Sequence, residues 1–314
     1  MNNILKLFNN RNFILLLALF IGFILGNHSA YLVAPSSWFL ALVMVFTTTG
    51  FSFYDWKPIT KTIRIIGISF LLNFVVFGLI LIGLGILLFD DELMILGILL
   101  LVISPPGPSV VPFTAALSGN VPFAVTGVFG LHLVAIIITP ALLVLFLGNS
   151  AISTESVVLL ITKVIIAPLI LSRIIRRTPL KPYVEKNRGH VVNWGFFLII
   201  IPIVGMSKSI IVAQPDMVFK NSLLFFIAMF AGGFLFNIIS NKLKVERSTT
   251  IAANLLFTTK SSAFAAVASF SLVPPEAGLP LAIHAVFITL YFIIYDFILN
   301  KFQKKTFIST DNAI

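Results

Sequence analysis

Between Phe13 and Leu299 the chain is written in apolar runs as long as a bilayer is thick, separated by short polar breaks. A hydrocarbon core about 30 Å deep takes about 20 apolar residues of helix to cross. Lipid admits only backbones that satisfy their own polar groups, which leaves helices and closed barrels. The runs are continuous rather than alternating, so helices are expected. Their limits are 13–26, about 31–53, about 63–89, 93–117, 121–147, 157–175, about 191–206, about 222–239, 249–272 and 278–299. The fold class that follows is an all-α integral membrane protein of ten transmembrane helices, with no soluble domain left over. A cleavable signal peptide is the competing reading of the first run, but no convincing small-x-small cleavage site follows it. A mean hydropathy of +1.09 with 10% charged residues agrees. The absence of cysteine removes disulfides, thiol catalysis and cysteine-ligated metals.

The net charge of +10 would suggest nucleic acid in a soluble domain. Here its placement gives topology instead, because lysine and arginine gather in cytoplasmic loops. Alternate flanks carry Lys6 and Arg11, then Lys57, Lys61 and Arg64, then Arg173, Arg176, Arg177, Lys181, Lys186 and Arg188. Lys242, Lys244 and Arg247 follow, and Lys301, Lys304 and Lys305 close the series. The opposite loops hold only Lys208 and Lys220, with most of the acids. Both termini are expected in the cytoplasm, which requires an even number of spans and agrees with ten. The expected location is the plasma membrane.

The fourth run is interrupted by Ser104-Pro-Pro-Gly-Pro-Ser109, with Pro112 just beyond. Each proline removes a donor, and its ring clashes with the carbonyl four residues back. A helix through Pro105, Pro106 and Pro108 must break, freeing carbonyls that include those of Leu101, Val102, Ser104 and Pro108. Such groups survive in a membrane only when buried in protein or lining a wet cavity. Discontinuous helices of this kind mark substrate sites in secondary transporters.

The ninth run supplies a counterpart, Asn254-Leu-Leu-Phe-Thr-Thr-Lys-Ser-Ser-Ala263. Lys260 lies 13 residues beyond Arg247, roughly 20 Å along a helix rising about 1.5 Å per residue. That is near mid-membrane, where a charged lysine is costly and marks a functional candidate. The remaining acceptors are the freed carbonyls and the hydroxyls of Thr258, Thr259, Ser261 and Ser262. A buried lysine without a counter-charge can exchange its proton near physiological pH. The other reading is a permanently charged lysine that replaces a bound metal ion and ties the two breaks together.

An internal repeat supports the pairing. Val121-Pro-Phe-Ala-Val-Thr-Gly-Val-Phe129 and Leu279-Pro-Leu-Ala-Ile-His-Ala-Val-Phe287 share four residues without gaps: Pro122/Pro280, Ala124/Ala282, Val128/Val286 and Phe129/Phe287. Five spans per half is an odd number, so the second half enters the membrane inverted, as in many transporters. The halves are taken as residues 1–148 and 149–314, with discontinuous helices 4 and 9 crossing. Lys163, about eight residues into the sixth span, either snorkels outward or contributes to an anion site. His132 and His284 stand alone on apolar helices and read as packing residues rather than metal ligands. Thr47-Thr-Thr49 and Gly232-Gly233 fit close helix packing.

With these residues in place the chain resembles the bile acid sodium symporter family over nearly its full length. Met44-Val-Phe-Thr-Thr-Thr-Gly-Phe-Ser-Phe-Tyr-Asp55 is similar to the end of that family's second span. Ser104 to Pro108, through Leu117-Ser-Gly-Asn120, sits on its Pro-Gly-Gly crossing segment. Pro274-Pro-Glu-Ala-Gly-Leu-Pro-Leu-Ala282 resembles the approach to its tenth span. The resemblance implies crossed broken helices, a six-span core moving against a four-span panel, and transport of organic anions with sodium. The sodium ligands it implies are missing. They fall on Val110, Val111, Ala124, Val128, Leu256 and Lys260, none of which offers a side-chain oxygen to a hard cation.

The function expected is therefore secondary transport of a small organic anion by alternating access, sodium-independent, with Lys260 in the cation's place. Protons are the second candidate partner, and the bilayer is the solvent; no metal, cofactor or nucleic acid is implied. The expected binding residues are Lys260, the Ser104–Ser109 break, Thr258, Thr259, Ser261, Ser262, Lys163 and His132. A positive Lys260 would help hold the substrate between freed carbonyls and half-helix N-termini. An auxin-efflux-type carrier, or a facilitator or exchanger, is the nearest alternative. An intramembrane hydrolase would need a nucleophile, a base and an orienting third group, and neither histidine has a buried acid beside it.

Overall fold

The computed structural model describes residues 8, 10–51, 58–151 and 154–311, and all regular structure among them is helical. Lys6, Lys57 and the Tyr54-Asp55 end of the second-span motif lie outside the described residues. Eight helical stretches among the described residues are long and apolar enough to cross a membrane: 11–49, 59–88, 121–143, 158–175, 181–213, 215–242, 247–272 and 276–299. Glu92–Ile103 is a shorter apolar helix. Large apolar side chains face outward along these stretches, including Leu79, Ile137, Phe234 and Phe297. A surface of that kind suits lipid and not water. The protein is a multi-pass helical membrane protein.

The first stretch is a hairpin. Helix α1 (Arg11–Leu25) ends at Gly26, whose φ of 53° is a left-handed conformation that glycine adopts freely. A 3-10 segment, Gly26–Leu32, turns the chain into α2 (Val33–Thr49). Both helices pack along one later helix, Lys181–Ala213, which fixes their directions. Arg11 lies level with Phe196 and Gly26 with Gly205. The chain then returns, with Val43 against Gly195 and Gly50 against Arg188. Gly205 permits the closest approach, since a side chain there would run into the Ser29 hydroxyl and the Gly26 carbonyl.

The C-terminal end of α2 is closed by arginines. Thr47, Thr48 and Thr49 turn their hydroxyls back onto the carbonyls of Val43, Met44 and Val45 at 2.7 Å. Arg173 donates to the carbonyls of Phe51, at 2.6 Å, and Thr48, and Arg176 donates to that of Thr49 at 3.0 Å. Cations at a helix C-terminus oppose the negative end of its dipole and satisfy its orphan carbonyls. Arg173→Ala is expected to cost about 1–2 kcal/mol. Arg173→Lys should recover less than half of that, because one ammonium cannot reproduce the fork. Thermal unfolding of the purified variants checks this.

The next helices repeat a pattern. Helix α3 (Ile59–Phe70, 12 residues) passes through a six-residue π turn, Leu71–Val76, into α4 (Phe77–Leu88, 12 residues). In the second half, α11 (Pro215–Phe225, 11 residues) passes through a six-residue π turn, Phe226–Ala231, into α12 (Gly232–Lys242, 11 residues). A third π turn, Thr162–Ile166, joins α8 (Thr154–Ile161) to α9 (Ala167–Ile175). Such turns are rare in helices and gather at functional sites.

Two helices are broken. Helix α5 (Glu92–Ile103) stops at Ser104, and α6 (Val110–Ala116) begins after Ser109. The break is thus 104–109 rather than 104–112. Pro112 sits in the first turn of α6, where a missing N–H costs nothing. Helix α13 (Arg247–Thr258) stops at Thr259, and α14 (Ser262–Leu272) restarts with Ser261 as its cap, accepting from the Phe264 N–H at 3.1 Å. That break, 259–261, lies within the stretch expected from 258 to 262. The long helices α7 (Val121–Ala151), α10 (Lys181–Ala213) and α15 (Leu279–Asp311) complete the set. Every residue from Leu100 to Val110 and from Thr250 to Ser269 is buried. Irregular backbone therefore lies where protein, not lipid, surrounds it.

Candidate functional site

The two breaks touch. The Ser261 N–H donates to the Pro105 carbonyl at 3.0 Å. The Lys260 ammonium donates to the carbonyls of Val102, at 2.9 Å, and Ser104, at 3.1 Å. Its third donor goes to Asn73 Oδ1 at 2.8 Å, and the Phe74 ring lies 4.1 Å from Nζ. An ammonium has three N–H donors and no acceptor; here it meets three oxygens. Lys260 is wholly buried, so these contacts replace its water.

Asn73 works in both directions. Its amide nitrogen donates to the carbonyls of Leu256, at 2.7 Å, and Thr259, at 2.9 Å. These are carbonyls released where α13 stops. The π turn 71–76 carries Asn73 and Phe74 together to the junction. Asn73 was not among the expected binding residues. The signal was available, since a lone carboxamide in the run 63–89 is costly in lipid unless it has a partner.

Most carbonyls of the first break are engaged, as buried backbone requires. Val102 and Ser104 serve Lys260, as expected. Ile103 accepts from the Thr139 hydroxyl at 2.8 Å, Pro105 from Ser261, and Gly107 from the Val110 N–H at 3.1 Å. The Leu101 carbonyl is not free, contrary to expectation, because the Ser104 N–H folds back onto it at 3.1 Å. The hydroxyls near Lys260 are engaged elsewhere. Thr258 and Thr259 bond back to Asn254 and Leu255, Ser261 caps α14, and Ser262 pairs with His284 Nδ1 at 2.7 Å.

Further polar contacts tie α13 to its neighbours. Asn254 donates to the Gly233 carbonyl, at 2.8 Å, and to Asn237, at 3.0 Å. It accepts from the Tyr291 hydroxyl, and Tyr295 donates to Asn237 at 3.2 Å.

A small cavity of about 50 Å³ opens beside the junction. Gly107, Ser109, Lys260, Ser261 and Ser262 line it from the breaks, with Arg11 and Leu15 from α1, Phe196 and Ile200 from α10, and Ile288 and Thr289 from α15. The oxygens that hold the Lys260 ammonium belong to residues outside this lining. Ser104, Pro105, Pro106 and Pro108 form the break behind it. Lys163 lies on the π turn 162–166 with its ammonium 4.2 Å from the Trp38 ring, and His132 bonds to the Val128 carbonyl of its own helix at 2.7 Å. Neither lines the cavity. Val110, Ala124, Val128 and Leu256, where the resemblance would place sodium ligands, are apolar and buried.

Two broken helices meet beside a cavity in a multi-pass helical protein, an arrangement found at the substrate sites of secondary transporters. A family model describing the SBF-like CPA transporter family matches residues 11–304, and the chain belongs to that family. No protein with a curated description matches it.

Proposed function

We propose that the protein is a secondary transporter of a small organic anion, working by alternating access and without sodium. The carrying observation is the Lys260 ammonium, which holds the two breaks together through three oxygens beside a cavity. It occupies the place that the related symporters give to a cation. Ten crossings are proposed from the eight long stretches. The reversal between α1 and α2 makes the first stretch two crossings, and the broken α5–α6 pair adds one. Two inverted halves, 1–148 and 149–314, are supported by the matching π turns of α3–α4 and α11–α12. Both termini are assigned to the cytoplasm, and the membrane to the plasma membrane, from the charges of the loops.

Three N–H donors on three acceptors favour a lysine that keeps its proton. The carrier is then an exchanger or facilitator driven by its substrate, and proton coupling is the competing form. Counterflow into proteoliposomes against a library of organic acids, with and without sodium, tests the proposal. Saturable counterflow that sodium does not stimulate is expected. Sodium stimulation of the wild type would refute the lysine substitution. A pH dependence that disappears in Lys260→Gln would establish proton carriage instead.

A further inference from the structure

Arg11 is the cation of the cavity that the junction leaves unexplained. Its guanidinium carbon lies 4.5 Å from the centre of the Phe113 ring and 6.0 Å from those of Phe196 and Phe292. Phe113 and Phe292 are themselves stacked, with centroids 3.7 Å apart. Ring contact occupies the face of a guanidinium and leaves its in-plane donors free. Arg11 Nε is buried and has no hydrogen-bond partner. Among the described residues no carboxylate forms an ion pair with Arg11. A half-buried cation whose Nε is buried without a partner is costly unless something else completes it.

The cavity supplies a second positive feature. Ser261, Ser262 and Ala263, at the start of the 11-residue helix α14, line the same space. The Ser261 side chain caps Phe264 N–H, and the first N–H groups of the helix have no partner within it. The positive end of the helix dipole therefore faces the cavity that Arg11 faces. The rest of the wall is greasy. At about 50 Å³ the enclosed space takes a few waters or the head group of a small ligand, not a whole drug-sized one. Arg11 also borders a second recess of about 290 Å³ with Asn10, Asn12 and Phe113, so it stands between the two spaces.

Building on the transport reading, we infer that Arg11 receives the oxyanion head of the transported molecule, whose apolar body lies against Leu15, Phe196, Ile200 and Ile288. Lys260 then shapes the junction, and Arg11 recognises charge. The head that a planar fork fits best is a carboxylate, bound through two parallel N–H···O bonds.

The test uses the full-length protein in nanodiscs, with benzoate and pentanoate as probes, their amides as neutral controls, and phenyl phosphate and benzenesulfonate as alternative heads. The carboxylates are expected to bind the wild type and the amides to bind at least tenfold more weakly. Arg11→Gln should lose roughly ten- to hundredfold in carboxylate affinity, with Arg11→Lys between the two. Because either variant could misfold, the wild type is also treated with phenylglyoxal and read by peptide mass spectrometry. Benzoate should protect Arg11 and leave Arg64 unprotected. Carboxylate binding retained in a folded Arg11→Gln, or labelling at Arg11 that benzoate leaves unchanged, overturns this assignment while the transport reading stands. Stronger binding of the phosphate or sulfonate than of either carboxylate overturns the choice of head. A wild type that binds none of the four anions overturns the assignment and the organic-anion reading together.

Discussion

Lys260→Met should melt well below the wild type, with a loss of about 2–5 kcal/mol, and should no longer carry substrate. The size follows from what stays behind. Methionine fills much of the same volume, but the carbonyls of Val102 and Ser104 and the Asn73 amide oxygen lose this donor together. Each stranded buried acceptor costs about 1–3 kcal/mol. Removing a desolvated charge gives part of this back. Lys260→Gln, which keeps two donors on a shorter stem, should fall between. Thermal unfolding followed by the intrinsic fluorescence of the three tryptophans measures the order. A methionine variant melting within a degree of the wild type would show that the ammonium does not join the breaks.

Gly97→Ala should be almost as damaging, although it adds one carbon and no charge. Gly97 lies in α5, where a Cβ would run into the backbone carbonyl of Ala277 and come within 2.9 Å of Pro280 Cγ. Neither neighbour is the flexible tip of a side chain. The proline ring and the 3-10 turn before α15 are stiff, so the helix itself must move. Overpacking of this kind costs about 1–3 kcal/mol, occasionally more. A displaced α5 would also carry Val102 and Ser104 off Lys260, so transport should fall more steeply than stability. Gly83→Ala is the control, because nothing lies within 4 Å of its Cβ. It should be neutral or stabilising by about 0.5–1 kcal/mol. Equal melting temperatures for the two variants would mean that α5 has room to shift.

Much of this architecture is legible in the residue order. Continuous apolar runs mark helices, the Pro105-Pro106-Gly107-Pro108 cluster marks one break, and a lysine set among hydroxyls marks the other. What stayed hidden is partnership. Hydropathy reports that Asn73 sits in a greasy environment, but not that its partners lie 183 to 187 residues away. Arg11 was read as a loop cation, since a position next to a span looks the same whether the side chain turns outward or inward. The helix α10 starts at Lys181, well before the apolar run at 191, because Lys181 to His190 is mostly polar, with only Tyr183 and Val184 to mark a packed face. The Leu101 carbonyl was misjudged for a local reason. Proline forbids the next helical turn, yet a tight reversal can still return an earlier N–H.

The lysine at the junction has a consequence for how the chain is made. The oxygens it serves at Val102, Ser104 and Asn73 leave the ribosome 156 to 187 residues before it does. Until residue 260 reaches the bilayer, the amino-terminal portion holds a bent segment whose acceptors at Val102, Ser104 and Asn73 lack this donor. Maturation then turns on late docking of the carboxy-terminal portion. Fragments ending before Lys260 should be prey for membrane proteases, and supplying the missing portion as a separate polypeptide should rescue them.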